Sequence, residues 1–275
     1  MPVIMTIGAD LTLTGLPDAA VAPLVHAATF PNPLYAKKER LKLWLGQTPK
    51  TLSLAARGVT RQTLILPPGM VPQVIEVCHQ QNLVLKTHDE TVYPPLLAPV
   101  TLGRLYDYQR DALDTLVQHK TGFLSAPTGS GKTNILLSAI ARLKTPTIIL
   151  THTTGLLQQT AQRCRDWLGV EPGIIGAGKW TVKPITVAMI QTLTRRPEAK
   201  ELRDLFGCVI CDESHHACCA TWIAAMNLFR ARYKYGVTAT PWRKDKLEQM
   251  MWLTLGPIVA TISQKDVVAH GSVIK

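Results

Sequence analysis

Residues 126–133 read APTGSGKT, between the apolar run Phe123-Leu124-Ser125 and a segment whose apolar residues recur at helical spacing. Nothing else in the chain restricts its fold as strongly. A strand, a glycine-rich turn and a helix, in that order, make the local geometry in which a backbone wraps a phosphate group. Gly129 and Gly131 permit the tight turn, with N–H groups directed inward. The start of the following helix adds partial positive charge. Pro127, Thr128, Gly129, Ser130, Gly131, Lys132 and Thr133 are therefore the candidate nucleotide-binding residues. Lys132 reaches the β- and γ-phosphates and the Thr133 hydroxyl ligates a metal, so the expected cofactors are ATP and Mg²⁺.

A site of this kind needs a second carboxylate group for the metal and the attacking water. Residues 208–215 read CVICDESH, an apolar strand followed by Asp212 and Glu213. In a parallel sheet the strand end lies at the carboxyl edge, where α/β ligands bind. Asp212 is read as a Mg²⁺ holder, and Glu213 as the residue that orients and polarises water.

The rest of the second half alternates in the manner of a parallel α/β sheet. Strands are predicted at Gly122–Ser125, Thr147–Leu150, Ile185–Val187, Val209–Cys211 and Tyr235–Thr238. Helices are predicted at Asn134–Leu143, Leu156–Leu168, Glu198–Leu205 and Cys219–Arg230. The first part differs. Val3–Ile7 and Leu11–Thr14 read as a hairpin, Ala19–Ala28 and Val71–Gln81 as helices, and Leu64–Leu66 and Leu83–Lys86 as strands. Tyr35–Leu45 reads as a basic, mostly helical segment. Tyr93-Pro94-Pro95 and Pro99 mark a linker, which puts a boundary near residue 98.

Composition excludes several classes. At 46% hydrophobic and 18% charged, the 275 residues are neither disordered nor fibrous. No apolar run approaches the ~20 residues needed to span a bilayer, so no membrane partner is expected. The first basic residue is Lys37, so the N-terminus lacks a charged secretory start. Six cysteines are too few for a secreted scaffold of this length, which favours a reducing, cytoplasmic location. The net charge of +11 is uneven: residues 1–100 carry 8 basic and 6 acidic side chains, residues 101–275 carry 22 and 13. An excess of that size draws polyanions, of which nucleic acid is one. Cys208 and Cys211 lie three apart on a predicted strand and face opposite ways, so a zinc site is rejected in favour of buried small hydrophobes. Trp222, Trp242 and Trp252 are read as packing residues, Trp242 with the strongest case for base stacking. Lys37, Lys38, Arg40 and Lys42 read as a solvated helix face ahead of a nucleic-acid patch.

Gln109 in LYDYQRDAL, APTGSGKT, DESH and TATP (238–241) follow one another in the order and approximate spacing of the superfamily 2 helicases and translocases. The chain resembles DEAD/DEAH-box helicases of the xeroderma pigmentosum B type, which are similar to type I and III restriction motors. THTTGLLQQT (151–160), ITVAMIQTL (185–193) and GPIVATIS (256–263) add to the likeness. Residues 32–44 with LPPG (66–69) more loosely resemble the N-terminal domain of some bacterial members.

The resemblance implies an α/β, RecA-like P-loop NTPase domain, a mostly parallel sheet flanked by helices, preceded by a small α+β domain. It places the accessory domain at 1–98, the first RecA-like ATP-binding domain at 99–258 and a connector at 259–275. It also implies an ATP-driven motor on nucleic acid, DNA ahead of RNA. Carried onto this chain, it makes Gln109 the adenine reader and His215, Thr238 and Thr240 the couplers between sites. Thr151, His152, Thr153, Thr154, Gln191 and Thr192 become nucleic-acid contacts, with Gly176–Lys179 a further backbone contact. Such motors clamp ATP between two RecA-like lobes, and one set of motifs is present here. The second lobe is expected in trans or lost by truncation, leaving this chain a weak or inactive hydrolase by itself. Competing readings are a non-motor ATP-binding scaffold that keeps the fold and, with less support, an unrelated phosphate-loop enzyme such as a kinase.

Overall fold

The computed structural model describes residues 2–58, 60, 62–95, 100, 103–211, 219–238 and 248–269. The chain divides into two compact units, Met1–Glu90 with Trp242–Thr254, and Thr91–Pro241 with Leu255–Lys275. This differs from a boundary at 98 with one continuous span after it. A segment belongs to the core that takes its apolar face, and Leu253, far along the chain, packs against the core of the smaller unit.

In the smaller unit, β1 (Val3–Ile7) and β2 (Leu11–Thr14) form the expected antiparallel hairpin, with Ile7 opposite Leu11. β5 (Ala56–Arg57), β6 (Thr63–Leu66) and β7 (Leu85–Asp89) complete a sheet of order β5-β6-β2-β1-β7, with β7 parallel to β1. Val3 and Met5, Leu11 and Leu13, and Leu64 and Leu66 are buried in pairs two apart, as one-faced strands require. Helices α1 (Asp18–Ala27) and α3 (Val71–Gln80) cover that face with Ala20, Leu24, Val74 and Cys78.

A two-stranded ribbon, β3 (Thr29–Pro31) and β4 (Thr51–Ser53), brackets α2 (Pro33–Arg40). The helical reading of Tyr35–Leu45 is too long, because α2 ends at Arg40 and buries no residue. No packing extends it, and a short isolated helix is marginal. Its end is closed by two nested bonds, Leu43 N–H to Lys38 O at 2.9 Å and Lys42 N–H to Glu39 O at 3.0 Å. Lys42 takes the left-handed conformation (φ 52°) where glycine is usual.

The larger unit is built on eight strands: β8 (Thr121–Ser125), β9 (Thr147–Thr151), β10 (Gly173–Gly176), β11 (Lys179–Thr181), β12 (Ile185–Met189), β13 (Cys208–Cys211), β14 (Tyr233–Thr238) and β15 (Ile258–Thr261). Their order is β11-β10-β12-β9-β13-β14-β8-β15. Every neighbouring pair is parallel except β10–β11. All residues of β9 and β13 are buried, which is why their sequences run apolar without alternation. The helices are α4 (Asp107–Gln118), α5 (Lys132–Leu143), α6 (Thr154–Leu168), α7 (Ile190–Arg195), α8 (Cys219–Met226), α9 (Glu248–Leu255) and α10 (Gln264–Ala269). Through Thr254, α9 groups with the smaller unit. From α5, Ile135, Leu136, Leu137 and Ile140 enter the core, at about 1.5–3 kcal/mol for each fully buried side chain. The mixed α/β architecture with a mostly parallel sheet is the one expected.

Three local expectations change. Residues Pro197–Leu202 form a 3₁₀ helix where an α-helix to Leu205 was expected, and α8 stops at Met226, short of Arg230. The β10–β11 hairpin was not anticipated, because its turn residues Ala177 and Gly178 looked like a contact loop. They have φ of 50° and 79°, the twist that suits a two-residue connection.

Arg230 closes on Asp204 with both carboxylate oxygens engaged, at 2.7 and 2.8 Å. The Arg230 hydrogen bond holds the Asp204 carboxyl below its ordinary 3.8. A depressed folded pKa stabilises above the unfolded value and is lost as pH falls through the folded one. Both side chains are partly exposed, so Asp204→Asn should cost under about 1 kcal/mol at neutral pH. Urea denaturation should show the difference from wild type closing as pH falls below the ordinary carboxylate range.

Candidate functional site

The phosphate loop lies where β8 hands over to α5, at the carboxyl edge of the sheet. Gly131 is the residue before the helix and is left-handed, φ 79° and ψ 29°. It has no side chain to cap α5, and the start of a twelve-residue helix, with its partial positive charge, faces the loop. A Cβ at Gly131 would lie 2.3 Å from Gln109 Nε2, so any other residue would displace the Gln109 amide, and φ itself favours glycine.

Lys132 is 8% exposed and folds back on the loop, with Nζ 3.3 Å from both Ala126 O and Pro127 O. Ser130 is fully buried, and its Oγ has no hydrogen-bond partner. Thr128 and Gly129 are exposed, while Pro127 and Thr133 are half-buried. An inward-held cation, a helix start without a side-chain cap and an orphaned hydroxyl fit a bound polyphosphate.

Gln109 sits in the first turn of α4 and is 4% exposed. Its Oε1 accepts from Tyr106 N at 3.0 Å, and its Nε2 donates to Ser130 O at 2.8 Å. The amide thus ties the start of α4 to the phosphate loop. Tyr108 adds a second tie, its hydroxyl 3.3 Å from Ser130 O, and stacks on the half-exposed Tyr106 (centroids 5.8 Å, planes 6° apart). Sequence reasoning placed Tyr108 with Gln109 in the entry motif without giving its ring a role, and it passed over Tyr106. The only available signal was an aromatic pair two apart, directly before Gln109.

Thr238 ends β14 opposite Ser125, and its carbonyl accepts from Ala126 N at 3.0 Å. One predicted coupling residue is therefore bonded through its backbone to the first residue of the phosphate loop. Strand β13 lies parallel to β14 and ends at Cys211, the residue before Asp212. Asp212, Glu213, His215 and Thr240 lie outside the described residues. Cys211 Sγ accepts from the buried Trp222 Nε1 at 2.8 Å. Burial drives the Cys208 thiol well above its usual range, which opposes the thiolate a metal would need.

The predicted nucleic-acid contacts divide into two groups. Thr151 is 1% exposed and its hydroxyl goes to Ala188 O at 3.3 Å, within the sheet. Thr153 and Thr154 are exposed at the start of α6, where the Thr153 hydroxyl accepts from Leu156 N at 3.2 Å. Gln191 Nε2 donates to His152 O at 3.1 Å, joining the loop after β9 to the first turn of α7, while its Oε1 is buried and unpartnered. Thr192 is half-buried on α7 beside it. His152, Thr153, Thr154, Gln191 and Thr192 thus share one stretch of the carboxyl edge, and Thr151 stands behind it.

A parallel α/β sheet carrying this loop after its strand defines a P-loop NTPase lobe, and the relatives below are of the superfamily 2 helicase type. Residues 102–243 match the family described as "Type III restriction enzyme, res subunit", and the chain belongs to that family. It is 36% identical over 173 residues to the "DNA 3'-5' translocase XPB2" of Sulfurisphaera tokodaii, covering 62% of this chain and 39% of that protein. It is 28% identical over 177 residues to the "DNA 3'-5' helicase XPB" of Mycobacterium tuberculosis, covering 61% and 32%. The chain thus spans well under half the length of these relatives. In fold it is similar to the crystal structure of the UvsW helicase from bacteriophage T4, with a TM-score of 0.70 at 19% identity. That likeness covers 95% of this chain and 100% of the other, so it reaches into the smaller unit. Among the described residues no helix is long and apolar enough to cross a membrane.

Proposed function

We propose that the chain is the first lobe of an ATP-driven nucleic-acid translocase or helicase, acting on DNA ahead of RNA. The observation that carries the reading is the built loop: Lys132 turned onto Ala126 and Pro127, Ser130 buried and unpartnered, and α5 uncapped. Mg²⁺, when bound, supplies charge neutralisation between the β- and γ-phosphates. Thr133 and Asp212 are the residues that would hold it. Lys132 leaves the loop carbonyls for phosphate oxygens, and Glu213 orients water. Thr238, bonded to Ala126, passes the state of the loop into β14. The exposed hydroxyls of Thr153 and Thr154, with Gln191 and Thr192, suit a sugar-phosphate backbone, which they can hold without reading sequence. Full turnover needs a second RecA-like lobe, in trans or in a longer polypeptide, to supply charge against the transferring phosphoryl group. A reducing compartment such as the cytoplasm suits the buried free thiols.

The test is steady-state ATPase with and without nucleic acid, alone and with a second lobe from a relative. Added charge of this kind is worth ~10³–10⁵ in turnover in other nucleotide hydrolases. Stimulation of that order, lost in Glu213→Gln, is the expected result. Lys132-dependent Mg·ATP binding that no second lobe converts to turnover would instead favour the scaffold reading.

A further inference from the structure

The smaller unit carries a feature that the phosphate loop does not explain. Of the eight basic residues in positions 1–100, six lie between Lys37 and Arg57, with Glu39 the only acid among them. Lys37, Arg40 and Lys42 are all exposed. A solvated basic segment would be polar throughout, and the turn that follows α2 is not. Leu41 and Leu43 are each more than half exposed, and Trp44 is 86% exposed. An indole is rarely left so open to water unless something covers it.

The segment is also fixed in place. Asn32 is buried, caps α2 by accepting from Leu34 N at 3.0 Å, and donates to Pro49 O at 2.8 Å, closing the loop at its base. Lys38 Nζ reaches Thr48 Oγ1 at 2.9 Å, and the paired bonds after Arg40 set the turn that presents Trp44. That turn keeps a lysine at φ 52°, a left-handed conformation that favours glycine. The indole rests against Gly46, where a Cβ would come within 2.9 Å of the ring.

We propose that α2 and the turn after it form a second nucleic-acid site, in which Trp44 stacks on an unpaired base while Lys37, Arg40 and Lys42 hold the flanking phosphates. This rests on the nucleic-acid reading above. Positive charge around an exposed aromatic ring is complementary to a single strand, whose bases offer free faces. Inside a duplex those faces are covered, so the site selects single-stranded segments.

The experiment is fluorescence anisotropy of the full chain with labelled single-stranded oligothymidine and with duplex of equal length, across a salt series. Trp44→Ala should weaken single-strand binding about 5- to 100-fold and leave duplex binding nearly unchanged, with Trp44→Phe recovering most of the loss. Lys37→Ala/Arg40→Ala/Lys42→Ala should reduce the logarithmic salt slope by about 2. Mg·ATP binding should be unchanged in every variant, which also reports that the fold is intact. Wild-type-like single-strand binding in both variants overturns this site and leaves the translocase reading standing. Equal loss on duplex and single strand overturns the stacking assignment. Loss of binding to phosphatidylserine vesicles, with nucleic-acid binding retained, makes the patch a lipid face and overturns the proposal. No binding of any nucleic acid by the wild-type chain sinks the translocase reading and this site with it.

Discussion

Lys132→Ala is expected to weaken Mg·ATP binding by about two to three orders of magnitude, the cost of truncating one partner of a buried charge pair. Isothermal titration calorimetry would measure it. The ammonium is already desolvated and held by two loop carbonyls, so little ordering remains to be done when phosphate arrives. Lys132→Arg should not restore affinity, because a planar fork cannot replace a compact ammonium inside so tight a turn. The fold should survive, since Ile135, Leu136 and Ile140 anchor α5 independently of Lys132. Unaltered affinity in Lys132→Ala would place nucleotide elsewhere and remove the basis of the functional proposal.

The second large effect is expected at Trp222. It is 1% exposed, stacks on Phe123 at 6.3 Å between centroids, and donates to Cys211 Sγ. Trp222→Ala should cost about 3–5 kcal/mol, readable as a lower urea midpoint. Phe123 belongs to the strand that feeds the phosphate loop, and Cys211 immediately precedes Asp212. The cavity therefore opens against β8 and β13, whose ends lead into the phosphate loop and Asp212, and turnover should fall at temperatures where the protein is still folded. Trp222→Phe fills most of the volume and loses the N–H, so it separates packing from the sulfur contact.

What could be read from residues alone depended on whether the controlling interaction was local. Strands β9, β12, β13 and β14 were legible because a strand buried on both faces has an unbroken apolar sequence. The phosphate loop was legible because its glycines and lysine act within eight consecutive positions. Gln109 was visible as a candidate, but its partner Ser130 is twenty-one residues away, and no spacing rule announces an amide spent on another loop. The same holds for Thr151, a hydroxyl at the right position whose bond to Ala188 turns it into the sheet. Helix α2 was overextended because its sequence favours helix through Leu45, and only the nested bonds around Lys42 show where it stops. Trp44 was passed over because exposure depends on what the rest of the unit leaves uncovered.

The route of the chain through the two units has a consequence for how the protein can be cut. The larger unit is left after β14, the smaller receives residues of α9 through Thr254, and β15 then returns to pair with β8 beside the phosphate loop. Severing the chain near the end of β14 would therefore deprive both units at once, one of a helical contribution to its core and the other of an edge strand. A fragment of residues 1–98 lacks Leu253, and a fragment ending at TATP exposes the free edge of β8. Each unit is thus assembled from two separate stretches of sequence, and any exchange of the smaller one between proteins has to carry both of its pieces.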